Sequence, residues 1–302
     1  MADSFESVWR EVHQYAPTVP APLVQRWTRD AFRSLRGRHL WSWAIAEDQW
    51  TFPTAYTSGS ITLTNSSKSV SGNGTVWTSA HKGLQLKTNN EIYTVSVVGS
   101  STSITLDRKW AGSTSSSESY SIYKAYVKAP SDFQAFVSVV DPDNEWRLHT
   151  HLDRQYLDAI DAARGNSGSP SVVADLFYSS TGRAMYEVWP HVVSTKGIKF
   201  LYWKKSSDFS DIQDLPYTVD GDVVKLGALA RLCLFPGTRE NPNPMFNIRL
   251  ADRYGREFDE AIGRLITEDN NIYPNDAWYA DLGSMPYAPI DAKYLQKHAP
   301  ML

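Results

Sequence analysis

The residues whose types and spacing come closest to chemistry are His149-Thr150-His151-Leu152-Asp153. On an extended strand the two imidazoles point to one side, which is how many metal sites begin. The next residue is Arg154, which cannot ligate, and His191 is the only later histidine before the C-terminal tail. The run reads as two ordinary strand histidines, and no residue is assigned to a metal. Asp141-Pro142-Asp143-Asn144-Glu145 starts like a calcium loop, but Trp146 stands where the sharp turn needs glycine. It reads as a plain turn. Cys233 lies inside an apolar stretch and reads as an inert buried thiol. No phosphate-cradling loop, dinucleotide fingerprint, nucleophile elbow or zinc-protease helix motif is found. No catalytic residue and no cofactor are expected, and the protein is not read as an enzyme.

Composition narrows the class. The chain has 302 residues, 42% of them hydrophobic and 13% aromatic, with 11 tryptophans, so it has ample material for a packed core and for large interfaces. The net charge of -3 lacks the global basic footprint of a nucleic-acid binder. One cysteine allows no disulfide within the chain and suits a reducing compartment. The first residues lack the apolar core of a signal peptide, and no apolar run approaches membrane-spanning length. A soluble protein made in a cytoplasm is expected.

The elements that must position any site fall into three kinds. Between Gly59 and Lys124, apolar residues alternate with Ser, Thr and Lys at Ile61/Leu63, Leu84/Leu86, Tyr93/Val95/Val97, Ile104/Leu106 and Tyr120/Ile122. A period of two with Asn/Gly/Ser turns between predicts a small antiparallel barrel or sandwich inserted over residues 57–125. Around it, residues 1–56 and 126–269 are read as a helical framework with a small antiparallel sheet, an α+β class overall. Helices are predicted over 4–16, 21–37, 153–163 and 223–235. A longer one over 246–267 has Phe246, Leu250, Tyr254, Phe258, Ile262 and Ile266 on one stripe. A short helix capped by Ser131 or Asp132 is expected after the insertion, and strands over 172–178, 184–191 and 197–204 are read as a meander. Residues 270–302, rich in Pro and aromatics, form the third kind: an extended arm of the sort that lies along another surface.

Two features point to interactions. On the second helix, Arg26, Arg29, Arg33 and Arg36 recur at spacings of three and four, with Arg38 just beyond. Such a row contacts nucleic acid or an acidic partner, or is a solvated face paired with local acids. In the arm, Trp278, Tyr279, Tyr287 and Tyr294 are the candidate interface residues.

Three passages carry a family resemblance. They are PAPLVQRWTRDAFRSLRGRHLWSW, the run YEVWPHVVSTKGIKFLYWKKSSDFSDIQDLPYTVDGDVVKLGALARLCLFPG, and GSITLTNSSKSVSGNGTVWTSAHKGLQLKTNNEIYTVSVV. They fall within residues 17–267, and the chain resembles the head-to-tail adaptor (connector) proteins of tailed bacteriophages, including the tail tubular A type. The resemblance implies a non-enzymatic virion protein at the head-tail junction. It would assemble as a twelve-fold homo-oligomeric ring that binds the portal protein and the next tail component, whether nozzle, tube or stopper. Genomic DNA would pass through its lumen without sequence-specific binding. The inserted module could contact a tail fibre or the capsid, and the arm is the candidate portal-docking segment. The alternatives are a tail-fibre, baseplate or decoration attachment protein, or a carbohydrate-binding module or enzyme.

Overall fold

The computed structural model describes residues 4–150, 152–179, 182–205, 215–216 and 219–272. His151, most of the acidic linker before Val219, and the arm from residue 273 onward, with Trp278, Tyr279, Tyr287 and Tyr294, lie outside the described residues. Among the described residues the α-helices are α1 (Phe5–Tyr15), α2 (Ala21–Arg36), α3 (Arg154–Ile160), α4 (Gly221–Leu234) and α5 (Ile248–Ile272). The first eight strands are β1 (Ile45–Phe52), β2 (Ser60–Leu63), β3 (Ser69–Asn73), β4 (Gln85–Thr88), β5 (Glu91–Ser100), β6 (Ser103–Leu106), β7 (Ser115–Glu118) and β8 (Ser121–Tyr123). They are followed by β9 (Tyr126–Lys128), β10 (Phe133–Asp141), β11 (Trp146–Arg147), β12 (Val172–Tyr178), β13 (Ala184–Trp189) and β14 (Lys196–Lys204). These elements form two compact units, one from residues 4–46 and the described part of 203–272, the other Glu47–Tyr202.

The first unit is helical. Ser4 starts α1 by a reciprocal cap, its hydroxyl accepting from the Ser7 amide at 3.1 Å while the Ser7 hydroxyl accepts from the Ser4 amide at 3.1 Å. Helix α4 is apolar on most faces because it is central, packing against α1, α2 and α5. Gly227 permits that closeness: a Cβ there would sit 2.8 Å from the Ala31 Cβ and 3.0 Å from the Phe258 ring. Phe5, Phe32, Leu35, Val224, Phe258 and Ile262 fill one side of the core, and Val12, Val24, Ala228 and Leu232 the other.

The second unit is mostly sheet, with α3 as its one α-helix among the described residues. Strands β2–β8 make a seven-stranded sheet in the order β7-β2-β3-β6-β5-β4-β8, every adjacent pair antiparallel and the whole curled into a half-barrel. Register shifts at Val95/Val97, Val98/Ser100 and Ile61/Leu63 supply local bending. The inward set Ile61, Leu63, Val70, Leu86, Tyr93, Val95, Ile104, Leu106 and Ile122 closes over Trp77 and Trp110. Strands β12-β13-β9 form a three-stranded sheet, and β1-β14-β10-β11 a four-stranded one. Between these two sheets an aromatic cluster joins Trp50, Phe133, Phe136, Tyr186 and Phe200, with Trp50 and Phe200 rings 4.4 Å apart.

The expected helical framework with a small sheet is therefore corrected: among the described residues the protein is mostly antiparallel β-sheet, in three sheets, with five α-helices. The difference lies in residues 126–202. Where a short capped helix is expected, Phe133-Gln-Ala-Phe-Val-Ser-Val-Val-Asp141 is the strand β10. Its β-branched and aromatic side chains bury against neighbouring sheet, and this outweighs the local capping signal of Ser131 and Asp132. The expected meander also breaks. Strands β12 and β13 pair, but the other edge of β13 is taken by β9, with Tyr186 opposite Val127. Strand β14 crosses to the other sheet, where it lies between β1 and β10.

Candidate interaction surface

Helix α2 presents its arginines because Val24, Thr28, Ala31, Phe32 and Leu35 take the buried side. Asp30 divides the row. It lies 4.0 Å from the Arg26 guanidinium and 3.4 Å from that of Arg33, and both arginines are exposed. Arg29 leans the other way and covers the Phe5 ring at 5.1 Å. Arg36 is half-buried in the last turn, where its charge also complements the helix dipole. Beyond the helix, Arg38 reaches Asp259 of α5 at 2.8 Å.

Beside this row runs a groove of about 750 Å³ formed by α2, α4 and α5. Arg231 of α4 forms part of its wall and ties α4 to α2, donating to the Asp30 carbonyl at 3.4 Å and the Ser34 hydroxyl at 3.2 Å. Leu234, Gly255 and Arg256 also line the groove, and a Cβ placed on Gly255 would meet nothing within 4 Å. Leu234 is 55% exposed, and Ile248, one turn before Asp252 on α5, is 60% exposed. Exposed aliphatics, a glycine and arginines thus lie together on this face.

The other sequence candidates fall elsewhere. His149 is half-buried, and its backbone bridges in parallel to Val172, its amide donating to the Ser171 carbonyl at 2.8 Å. Asp153 is committed as the α3 cap, accepting from the Tyr156 amide at 2.9 Å. Among the described residues no three His, Cys, Asp or Glu side chains are placed to hold a metal ion. Asp141 begins a turn, and its carboxylate is wholly buried, accepting from the Asp143 amide, the Asn144 side chain and Lys196 Nζ. Cys233 is buried, and burial raises its thiol pKa. Trp77 and Trp110 lie in the half-barrel core, so neither offers a sugar-stacking face.

Sequence reasoning leaves one constellation unseen, around Arg164. This residue sits in what reads as a Gly/Ser/Asn loop, yet its side chain is buried. Its Nε donates to Glu187 at 2.6 Å, Nη2 to Asp158 at 2.6 Å, and Nη1 to the Asp161 carbonyl at 2.6 Å. Burial works against the charge, but Glu187 and Asp158 outweigh it and the Arg164 pKa rises. Burial likewise opposes ionisation of Asp161. Hydrogen bonds from the Asn166 amide, the Trp189 indole and the Gly165 amide outweigh it and lower its pKa. Lys87 of β4 donates to the Arg164 carbonyl at 2.5 Å, so the knot joins the half-barrel to the three-stranded sheet and α3. His191 stacks on Tyr123 with ring centroids 4.1 Å apart, and burial, then the Lys87 charge, lowers its pKa to about 4. The carboxylates and guanidinium are engaged with one another, as in a structural weld. Its members are scattered over residues 87–191, so no local spacing betrays them.

No protein-family model matches the chain, and no curated protein matches it either.

Proposed function

We propose that the protein is a structural virion component of the head-to-tail adaptor class. In this reading, copies form a ring, taken as a dodecamer, between the portal protein and the next tail component, and DNA passes through the lumen. The observation that carries the reading is the surface on the helical unit, where an arginine row with Arg26 and Arg33 exposed lies near an open groove, with Leu234 and Ile248 exposed at its side. Arginine and exposed aliphatics in one patch suit permanent protein contacts. The three sequence passages that resemble adaptors support the same reading, and two of them include the groove-forming helices α2 and α4.

Native mass spectrometry and negative-stain imaging of the purified protein, alone and mixed with portal rings, test this. Closed rings or a ring-shaped layer on the portal are expected. A protein that stays monomeric and leaves portal particles unchanged overturns the proposal.

A further inference from the structure

The α2/α4/α5 groove has a chemistry that selects its occupant. Arg38, Arg231 and Arg256 line it against Asp252 and Asp259, so the lining is net basic. Arg38 already pairs with Asp259, and Arg231 is bonded to α2 and to its own helix. Arg256 has no hydrogen-bond or ion-pair partner among the described residues. Leu234 and Gly255 in the lining and the neighbouring Ile248 offer apolar surface to a ligand. An acidic, aromatic, extended segment fits these features.

The chain carries such a segment. Residues 273–292 include Asp276, Asp281 and Asp291, no lysine or arginine, and the apolar side chains of Trp278, Tyr279, Leu282, Met285, Tyr287 and Ile290. Prolines at 274, 286 and 289 favour an extended course. The segment follows α5 directly, so its reach within one copy can be bounded. Ile248, the exposed aliphatic the pair would have to meet, lies back along α5 from Ile272 by about 36 Å at 1.5 Å per residue. The backbone of Tyr279, the seventh residue past Ile272, reaches at most about 25 Å even fully extended, and a tyrosine ring does not span the distance that remains. Trp278 reaches less. The first aromatic pair therefore cannot pack against Ile248 of its own copy.

We propose that residues 273–292 of one copy occupy the α2/α4/α5 groove of a second copy. Trp278 and Tyr279 pack against Leu234 and Ile248, and an aspartate meets Arg256. The inference rests on the reading that copies assemble, and it assigns the arm to the joint between neighbours, leaving Lys293 and Lys297 beyond it.

The test uses the full-length chain with a photo-crosslinking amino acid at Leu234 or at Ile248, both exposed, in an equal mixture of light- and heavy-isotope protein. Crosslinked peptides drawn from residues 273–302 in mixed isotopic pairs are expected, with Arg256→Glu reducing their yield severalfold. Purely same-isotope tail crosslinks overturn the exchange between copies. Crosslinks to any other surface, or none, overturn the tail as occupant. Native mass spectrometry of the same samples separates the two proposals: rings without tail crosslinks defeat this inference and leave the ring standing.

Discussion

Lys196 and Asp141 form a buried ion pair, Nζ to Oδ2 at 2.6 Å, that fastens the start of β14 to the end of β10. Both side chains are nearly or wholly excluded from solvent, and Asp143, 3.7 Å from the same ammonium, is largely exposed. A buried pair is weak evidence of net stabilisation, but removing one partner strands the other charge. Lys196→Met is therefore expected to cost about 3–5 kcal/mol. In urea titrations the midpoint should fall sharply. Adding Asp141→Asn to that variant should recover part of the loss, since the stranded charge is gone. A double variant no better than Lys196→Met would show that the cost lies in packing.

Asp269, near the C-terminal end of α5, is 4% exposed and gathers the segment after α2. It accepts from His39 Nε2 at 3.1 Å, from the Ser42 amide at 3.1 Å, and from the Ser42 hydroxyl at 2.5 Å. Asp269→Ala leaves these donors without an acceptor, at about 1–3 kcal/mol for the buried groups. Hydrogen exchange should show increased opening at residues 39–44. Unchanged protection there would mean that solvent replaces the carboxylate.

His191 should make stability depend on pH in a defined window. Its folded pKa is lowered to about 4, because burial and then the Lys87 charge disfavour the imidazolium, whereas the unfolded chain titrates near 6.5. Between those values the unfolded state binds more protons, so stability rises with pH. The contribution is fully present above about pH 6.5 and is lost as pH falls towards 4, by at most about 3 kcal/mol. Asp161 also faces this ring, and its own lowered pKa removes stability only at lower pH. Phenylalanine can keep the stack on Tyr123 and cannot titrate. Urea midpoints of His191→Phe should stay flat from pH 7 to 5 where the parent declines, and equal slopes would exclude His191 as the source.

What the sequence reveals follows the range of the interactions involved. The half-barrel is legible because each strand writes its own alternation, with Ile61 and Leu63 inward as Thr62 points out. The α5 stripe is legible for the same reason, with Phe258 and Ile262 buried one turn apart. The arginine row is visible as a spacing, but its neighbours are not. The pairing of Arg38 with Asp259 joins residues more than two hundred positions apart. Strand β10 and the crossing of β14 are settled by which sheet edge is free, and no single segment records that. The Arg164 weld is hidden further, because a Gly/Ser/Asn-rich loop is a poor place to look for a buried guanidinium.

Gly72 of β3 is a final point where local sequence and packing meet. It sits in a Gly-Asn-Gly run that reads only as turn chemistry, yet its constraint is steric. A Cβ at this position would fall 2.2 Å from Thr75 Oγ1, 2.7 Å from Thr75 Cγ2, and 2.8 Å from the Trp77 ring. None of these groups can easily withdraw. The Thr75 hydroxyl donates to the Ser101 carbonyl at 2.8 Å, and the Trp77 indole donates to the Tyr120 hydroxyl at 3.1 Å. Tyr120 in turn donates to the Ser58 carbonyl at 2.7 Å. Gly72→Ala should thus strain a linked set of contacts in the half-barrel and cost about 1–3 kcal/mol. The effect should be local, because Trp77 belongs to the half-barrel core while the helices of the first unit have a separate core. Hydrogen exchange of the variant is expected to speed up in residues 58–77 and 101–120 and to remain unchanged in α4 and α5. Uniform acceleration across the chain would instead mean that the half-barrel and the helical unit unfold as one cooperative block.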